Sequence, residues 1–196
     1  MPTYRLEAFT DGVLAIVITI MVLELNVPVG GRLSDLSALA PIMFAYVLSF
    51  VNVGIYWSNH HHLFQVADRI DGRVLWSNLV LLFWLSLLPF MIRWLDASDF
   101  STSAAAGYGV VLTMASASWM ATRHFILACE QNDFALSRAI GRDRKSWFSV
   151  SAYAVSTLFS FYHPLLAISG YVLTTIAWLV PDRRLERVMQ KKLELG

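Results

Sequence analysis

Residues 5–27 of the chain read RLEAFTDGVLAIVITIMVLELNV, a long apolar run with a carboxylate near its start. A helix that crosses a lipid bilayer needs about 20 mostly apolar residues. The stretch from Ala8 to Val27 has that length, and no charged residue lies between Asp11 and Glu24. Because the run begins early, carries Glu7 and Asp11, and lacks an A-x-A cleavage site, it predicts a first membrane span and not a cleaved signal peptide.

The rest of the chain has the same apolar character. Of its 196 residues, 57% are hydrophobic and 15% are charged, with a mean hydropathy of +0.55; soluble domains carry about 25% charged residues. The net charge of +1 gives no indication of a nucleic-acid partner, and the single cysteine, Cys129, excludes a disulfide framework within one chain and a cysteine-cluster metal site. We therefore expect one all-α membrane domain over residues 1–196.

Six apolar spans make up the predicted domain, at about residues 8–27, 38–57, 74–92, 104–122, 147–162 and 165–180. The last two are short and meet at His163-Pro164, so one long kinked helix is an alternative for them. Cytoplasmic loops of membrane proteins are enriched in Lys and Arg. With six spans and both termini in the cytoplasm, all of the 15 basic residues except Arg32 and Arg93 lie inside. Five spans would put the basic tail after Pro181 on the wrong side.

Helix geometry divides the first span into faces, since successive residues point about 100° apart. Asp11 falls on the far side from one apolar stripe, and we expect its side chain to point into the protein as a packing anchor. Taken alone, the stripe is explained better by plain helix packing than by a pore lining. The stripe consists of Phe9, Gly12, Ile16, Thr19, Ile20, Leu23 and Val27.

Three consecutive histidines, His60 to His62, follow the second span. On a helix they point about 100° apart, so they cannot share a metal ion without ligands from elsewhere. We expect one of them to form a hydrogen bond with Asp11 or Thr10 at the same depth, in a network that Asn78 of the third span could join. The alternative is that the histidines contact water and lipid headgroups.

The segment Gly107-Tyr108-Gly109 is similar to part of the potassium-filter signature Thr-Val-Gly-Tyr-Gly. Here Ala105 and Ala106 replace Thr and Val, and no short pore helix precedes the segment. Small residues at these positions instead favour close contact between helices.

Three blocks of the chain resemble the transmembrane protein 175 potassium channels, in their bacterial single-repeat branch. The family's Arg-x-x-x-Phe-Ser-Asp is similar to Arg5, Phe9, Thr10 and Asp11, with Thr10 where Ser is usual. Its Trp-x-x-His-x-x-Leu-Phe is similar to the segment from Trp57 to Phe64. Its Asn-Leu followed by Leu-Pro-aromatic is similar to Asn78-Leu79 and Leu88-Pro89-Phe90. The blocks occur in family order over roughly residues 5 to 90.

The resemblance implies a homotetramer of six-helix subunits in the cell membrane, with the first helices around a central pore that is permeable to potassium ions. From the single cysteine and the divergent histidines we expect no metal site, and we expect no cofactor apart from the permeant ion. By position, Ile16, Ile20 and Leu23 would form an apolar constriction, with Thr19 a possible polar ring beside them. The resemblance also implies a network that braces the first helix, formed by Arg5, Phe9, Thr10, Asp11, His60 and Asn78.

Two other functions remain as rivals on the sequence alone. One is a proton-coupled transporter or proton pathway that uses Asp11 and the histidines. Transporters often have helices broken at mid-membrane, and neither Gly nor Pro interrupts the middle of the first span, which favours a channel. The other is a membrane scaffold without transport. An enzyme is not expected, because no paired acids or nucleophile–base set lie at one depth.

Overall fold

A computed structural model describes residues 3–28, 32–67, 70–129 and 144–179 of the chain. Among these residues the secondary structure is helical. A 3-10 helix at Leu33–Leu39 precedes α2, and the α-helices are α1 (Thr3–Leu23), α2 (Ala40–Val66), α3 (Gly72–Ser86), α4 (Leu88–Ala97), α5 (Thr102–Cys129), α6 (Arg144–Phe159) and α7 (Pro164–Leu179). The fold is therefore all-α, as the sequence predicted.

Helix α5 is the central element of the bundle. It packs against α3 and α4 on one side and against α6 and α7 on the other. Helix α1 lies at the side of the bundle and packs mainly against α2, α3 and α4. Within the described part of the chain, this position leaves one side of α1 exposed.

By length and composition, three helical stretches could cross a membrane: Thr3–Leu23, Leu33–Gln65 and Gly72–Ala97. Helix α7 is apolar but shorter. Helices α6 and α7 form an antiparallel pair around the turn at His163, so the alternative of one long kinked helix is wrong. The six predicted spans correspond in order to α1, α2, the α3–α4 pair, α5, α6 and α7.

The span boundaries differ from the prediction at both ends of α1. The predicted span covered residues 8–27, whereas α1 covers Thr3–Leu23. Pro28 disfavours helical backbone at the residue before it, which is consistent with the early end. Helix α2 extends beyond the predicted residue 57 to Val66, because the polar segment after Trp57 continues the helix past the apolar run.

The third span was predicted over residues 74–92, and a candidate span lies there at Gly72–Ala97. The helix breaks at Leu87 and a second helix continues to Ala97. Pro89 occupies the first turn of α4, where its fixed φ and its missing N–H are tolerated. In the interior of a helix, the missing N–H would remove a backbone hydrogen bond.

Asp71 starts α3 as its N-cap. Its carboxylate accepts hydrogen bonds from the backbone N–H groups of Arg73 and Val74, at 2.9 and 3.1 Å, and forms an ion pair with the Arg73 guanidinium at 2.8 Å. The backbone N–H of Val74, followed by the Arg73 side chain, lowers the pKa of Asp71 from its usual value. Such a cap satisfies donors that the first turn leaves free.

The Gly107-Tyr108-Gly109 segment lies in the first half of α5 and contacts neighbouring helices. A Cβ at Gly107 would lie 2.7 Å from the Trp94 ring, and one at Gly109 would overlap the side chains of Tyr171 and Thr157. The two glycines therefore allow close helix packing, as expected for small residues in a membrane bundle.

Some of the basic residues from which the orientation of the spans was predicted lie outside the described residues. Those outside are Arg69, Arg138, Arg142 and the five basic residues of the tail after Pro181.

Candidate functional site

Helix α1 has one side buried in the subunit and one side exposed. The buried stripe repeats every three or four residues and consists of Leu6, Thr10, Leu14, Val17 and Met21. This is the spacing of a single helix face. Among the described residues, the side of α1 opposite this stripe is exposed and mostly apolar.

The four predicted constriction residues lie together on the exposed side. Ile16, Ile20 and Leu23 are 59%, 41% and 79% exposed, and Thr19 lies among them. The Thr19 hydroxyl donates to the backbone carbonyl oxygens of Ile16 and Ala15, at 2.8 and 3.1 Å. Its hydrogen is therefore used by its own helix, as is common for Thr within helices.

A groove of about 510 Å³ runs between α1 and the α3–α4 break. Ile16 and Ile20 form part of its wall on α1, and Pro89 and Phe90 form part of the opposite wall. The exposed side of α1 is therefore continuous with an apolar groove.

Thr10, Asn78 and His60 form a buried chain of hydrogen bonds between α1, α3 and α2. The Asn78 amide donates to the Thr10 hydroxyl at 2.9 Å, and its carbonyl oxygen lies 3.1 Å from Nε2 of His60. All three side chains are almost fully buried. The His60 ring also stacks on Phe64, with ring centroids 4.2 Å apart. Three helices are thus connected at one level, and Asn78 is the bridge.

Asp11 does not point into the subunit, in contrast to the expectation from the helix faces. Its side chain is exposed, and its carboxylate accepts a hydrogen bond from the Trp57 indole N–H at 2.9 Å. The reason is that the buried stripe is centred on Thr10, Leu14 and Val17, and Asp11 lies about 100° away from Thr10. Asp11 therefore connects α1 to α2 at the surface of the subunit.

Arg5 and Phe9 are exposed on the first turns of α1. Among the hydrogen bonds of the described residues, the chain through Asn78 includes neither of them. The predicted six-residue network is thus divided into a buried trio, a surface pair of Asp11 with Trp57, and two exposed side chains.

The other histidines of the His60–His62 run do not share the surroundings of His60. His61 is exposed, stacks beside Trp57 and lies 2.7 Å from the side-chain amide nitrogen of Gln65. Over the described residues, no group of three His, Cys, Asp or Glu side chains is arranged to hold a metal ion.

Asn26 lies just after the C-terminal end of α1 and connects it to α4, and no sequence motif indicated this contact. Its amide donates to the Asp96 carboxylate at 2.6 Å, and its carbonyl oxygen accepts from the Arg93 guanidinium at 2.7 Å. The two partners are one helical turn apart on α4 and flank the amide. The end of α1 that carries Leu23 is thus tied to the second half of the broken third span.

Comparison of the amino-acid sequence with known proteins identifies relatives of this chain. Residues 5–89 match the model of the family described as "Endosomal/lysosomal potassium channel TMEM175". A protein named potassium channel from Chryseobacterium sp. (strain P1-3) is 44% identical over 187 residues, which cover 95% of this chain and 97% of that protein. The human endosomal/lysosomal proton channel TMEM175 is 43% identical over 83 residues, covering 35% of this chain and 16% of that protein.

A solved structure has the same fold. The crystal structure of a lysosomal potassium-selective channel TMEM175 homolog from Chamaesiphon minutus superposes with a TM-score of 0.78 and 25% sequence identity, covering 92% of this chain and 97% of that chain. Together with the nearly full-length match to the Chryseobacterium protein, this similarity assigns the family. The chain belongs to the TMEM175 family, which is a family of multi-pass membrane ion channels and not of enzymes.

Proposed function

We propose that four copies of the chain surround a central pore that conducts potassium ions, and that α1 lines this pore. The observation that carries the proposal is the division of α1 into a buried stripe and an exposed apolar side. An apolar helix side belongs against protein or lipid. If four α1 helices surround a shared pore axis, the exposed side that carries Ile16 faces the pore. In an isolated subunit that side would have no such role.

Ile16, Ile20 and Leu23 form the proposed constriction. Four copies of each residue would make three stacked apolar rings about one helical turn apart, since the positions advance by three or four residues. A narrow apolar ring excludes water and sets a dewetting barrier for an ion. Because the Thr19 hydroxyl donates to its own backbone, only its oxygen lone pairs remain for a passing ion.

The buried trio of Thr10, Asn78 and His60 braces α1 in this proposal. Asn78 on α3 forms hydrogen bonds with both Thr10 on α1 and His60 on α2. These bonds fix the rotation of α1 about its own axis. Asp11 adds a second contact through Trp57. Arg5 and Phe9, which are exposed in one subunit, lie where a neighbouring subunit could contact them.

The single six-helix domain, residues 1–196, would lie in the bacterial inner membrane with both termini in the cytoplasm. The distribution of Lys and Arg along the sequence supports this orientation. Potassium permeation is supported by the names of the bacterial relatives and by the shared fold with the potassium-selective channel from Chamaesiphon minutus. The channel needs no cofactor in this proposal, and its ligand is the permeant ion.

Proton conduction is the rival function, and the names of the vertebrate relatives favour testing it. A relay from Asp11 to a histidine requires contact between the two. Among the described residues, the hydrogen bond at the Asp11 carboxylate comes from Trp57, and His60 is bonded to Asn78 instead. This arrangement favours a bracing role for Asp11 over a relay.

Current recorded from the purified protein in planar bilayers tests the proposal. Under a potassium gradient at equal pH, we expect a reversal potential close to the potassium equilibrium potential. Under a pH gradient with equal potassium on both sides, we expect a reversal potential near zero. A reversal potential that follows the pH gradient would support the proton pathway, and the absence of current in both arms would favour a scaffold.

A further inference from the structure

A small internal cavity lies between α2, α5, α6 and α7, and no residue of α1 lines it. It leaves about 10 Å³ for the centre of a water molecule, which is the room that one water needs. Most of its wall residues carry polar groups: Asn52, Tyr56, Asn59, Trp119, Tyr153 and Trp178.

The hydrogen bonds around the cavity leave a specific set of partners unused. Asn52 donates to the Leu48 carbonyl oxygen and to the Thr175 hydroxyl, both at 2.9 Å, and accepts from the Tyr153 hydroxyl at 3.1 Å. Asn59 donates to the Ile55 carbonyl oxygen at 2.7 Å. Among the described residues, no hydrogen bond reaches the side-chain carbonyl oxygen of Asn59. The Tyr153 oxygen lies 3.4 Å from the Thr175 hydroxyl and keeps a further lone pair, so both oxygens can accept from a ligand.

Trp119 lines the same cavity and carries a buried donor. The residue is 2% exposed, and its indole N–H finds no acceptor in the part of the chain that the structure describes. A buried N–H without an acceptor is costly, and a ligand oxygen in the cavity would relieve that cost. The N–H carries a partial positive charge, so it disfavours a cation at this position, and an apolar ligand would leave it unsatisfied.

We infer that this cavity binds one water molecule within each subunit, away from the proposed pore. The water accepts a hydrogen bond from Trp119 and donates to the free acceptors of the wall. It thereby connects polar groups of α2 and α6 to α5 at membrane depth. The inference does not depend on the proposed function, because it uses only contacts inside one subunit.

A second cavity of the same volume provides an internal comparison. It also has about 10 Å³ of space, but its exposed lining is entirely apolar, with Leu48, Tyr108 and Tyr171 among its walls. Small apolar cavities stay dry. The two cavities therefore differ in polarity and not in size, and both have buried tyrosines at their walls.

X-ray hydroxyl-radical footprinting of the full-length protein in lipid nanodiscs tests the inference, because radicals formed from a bound water oxidise the side chains that it touches. We expect Tyr56, Trp119 and Tyr153 to oxidise several-fold faster than Tyr108 and Tyr171, although all are buried. Equal rates in the two groups would overturn the inference.

The variant Asn59→Leu locates the water. It keeps a side chain of similar size and removes an acceptor from the wall, so oxidation of Tyr56 and Trp119 should fall to the level of Tyr108. Unchanged oxidation in a variant that elutes as the wild type does would overturn the assignment to this cavity. If the variant does not fold, the ratio of oxidation rates between the two groups of side chains in the wild-type protein still tests whether the cavity holds water.

Discussion

Adjacent residues on α1 have opposite surroundings. Thr10 is buried and bonded to Asn78, whereas Asp11 is exposed and bonded to Trp57. The difference follows from the 100° between successive helix positions. The hydroxyl therefore sits in the interior and accepts from the Asn78 amide, and the carboxylate sits on the exposed side and accepts from the Trp57 indole N–H.

Replacing Asn78 with Ala should destabilise the subunit by about 1–3 kcal/mol, because buried Thr10 and His60 then lose a hydrogen-bond partner. Thermal unfolding of the purified protein measures the loss, and the reversal potential should stay unchanged. Leu79→Ala is the matched control, because Leu79 is the next residue on α3 and is exposed. Wild-type stability together with an altered reversal potential in Asn78→Ala would contradict the bracing role.

The Asp11–Trp57 contact predicts a graded series. Asp11→Asn keeps an oxygen that accepts from the indole and should retain nearly wild-type yield and stability. Asp11→Ala and Trp57→Phe should each cost about 0.5–1.5 kcal/mol, and the double variant should cost less than the sum, since one hydrogen bond is lost in each case. Additive losses would show that the two side chains act separately. An altered reversal potential in Asp11→Asn would place Asp11 on the ion path.

The sequence located the exposed side of α1 because helical periodicity is a local property, readable from the spacing of Ile16, Ile20 and Leu23. It did not identify Trp57 as the partner of Asp11. That contact depends on where α2 lies beside α1, which no local pattern specifies. Asn26 was missed for the same reason, since its partners are about 70 residues away along the chain.

At the scale of elements, the break in the third span shows a different limit. Pro89 is a local signal for a helix start, but counting apolar residues overlooks it because the run continues on both sides. Polar contacts between distant helices, such as that between Asn52 of α2 and Thr175 of α7, join residues far apart in sequence. The order of the helices was therefore predictable, and their side-chain contacts were not.

The packing of α5 against α7 depends on Gly109. We expect Gly109→Ala to lower the thermal stability strongly, because the added methyl overlaps the Tyr171 and Thr157 side chains, and overpacking of this kind costs about 1–3 kcal/mol or more. Gly54→Ala is the control, since a Cβ there meets nothing within 4 Å in the subunit. Equal stability of the two variants would show that α5 and α7 can separate at little cost.

At the scale of the whole molecule, the exposed side of α1 predicts assembly. One subunit leaves Ile16, Ile20 and Leu23 open on a helix at the side of the bundle. We expect native mass spectrometry or light scattering of the protein in lipid nanodiscs to give four copies per particle. A particle that contains one copy at all protein concentrations would contradict the proposed pore.

The central claim is that the Ile16 side of α1 lines the ion path, and single-channel recording of Ile16→Asn tests it most directly. An amide wets the apolar ring and lowers its dewetting barrier. The matched control is Ile18→Asn, which introduces the same group on a half-buried position that packs against the core. We predict that Ile16→Asn raises the basal current and weakens the preference for potassium over sodium, while Ile18→Asn lowers the yield without opening the pore. Unchanged conductance and reversal potential in Ile16→Asn, at normal tetramer yield, would show that α1 does not line the pore.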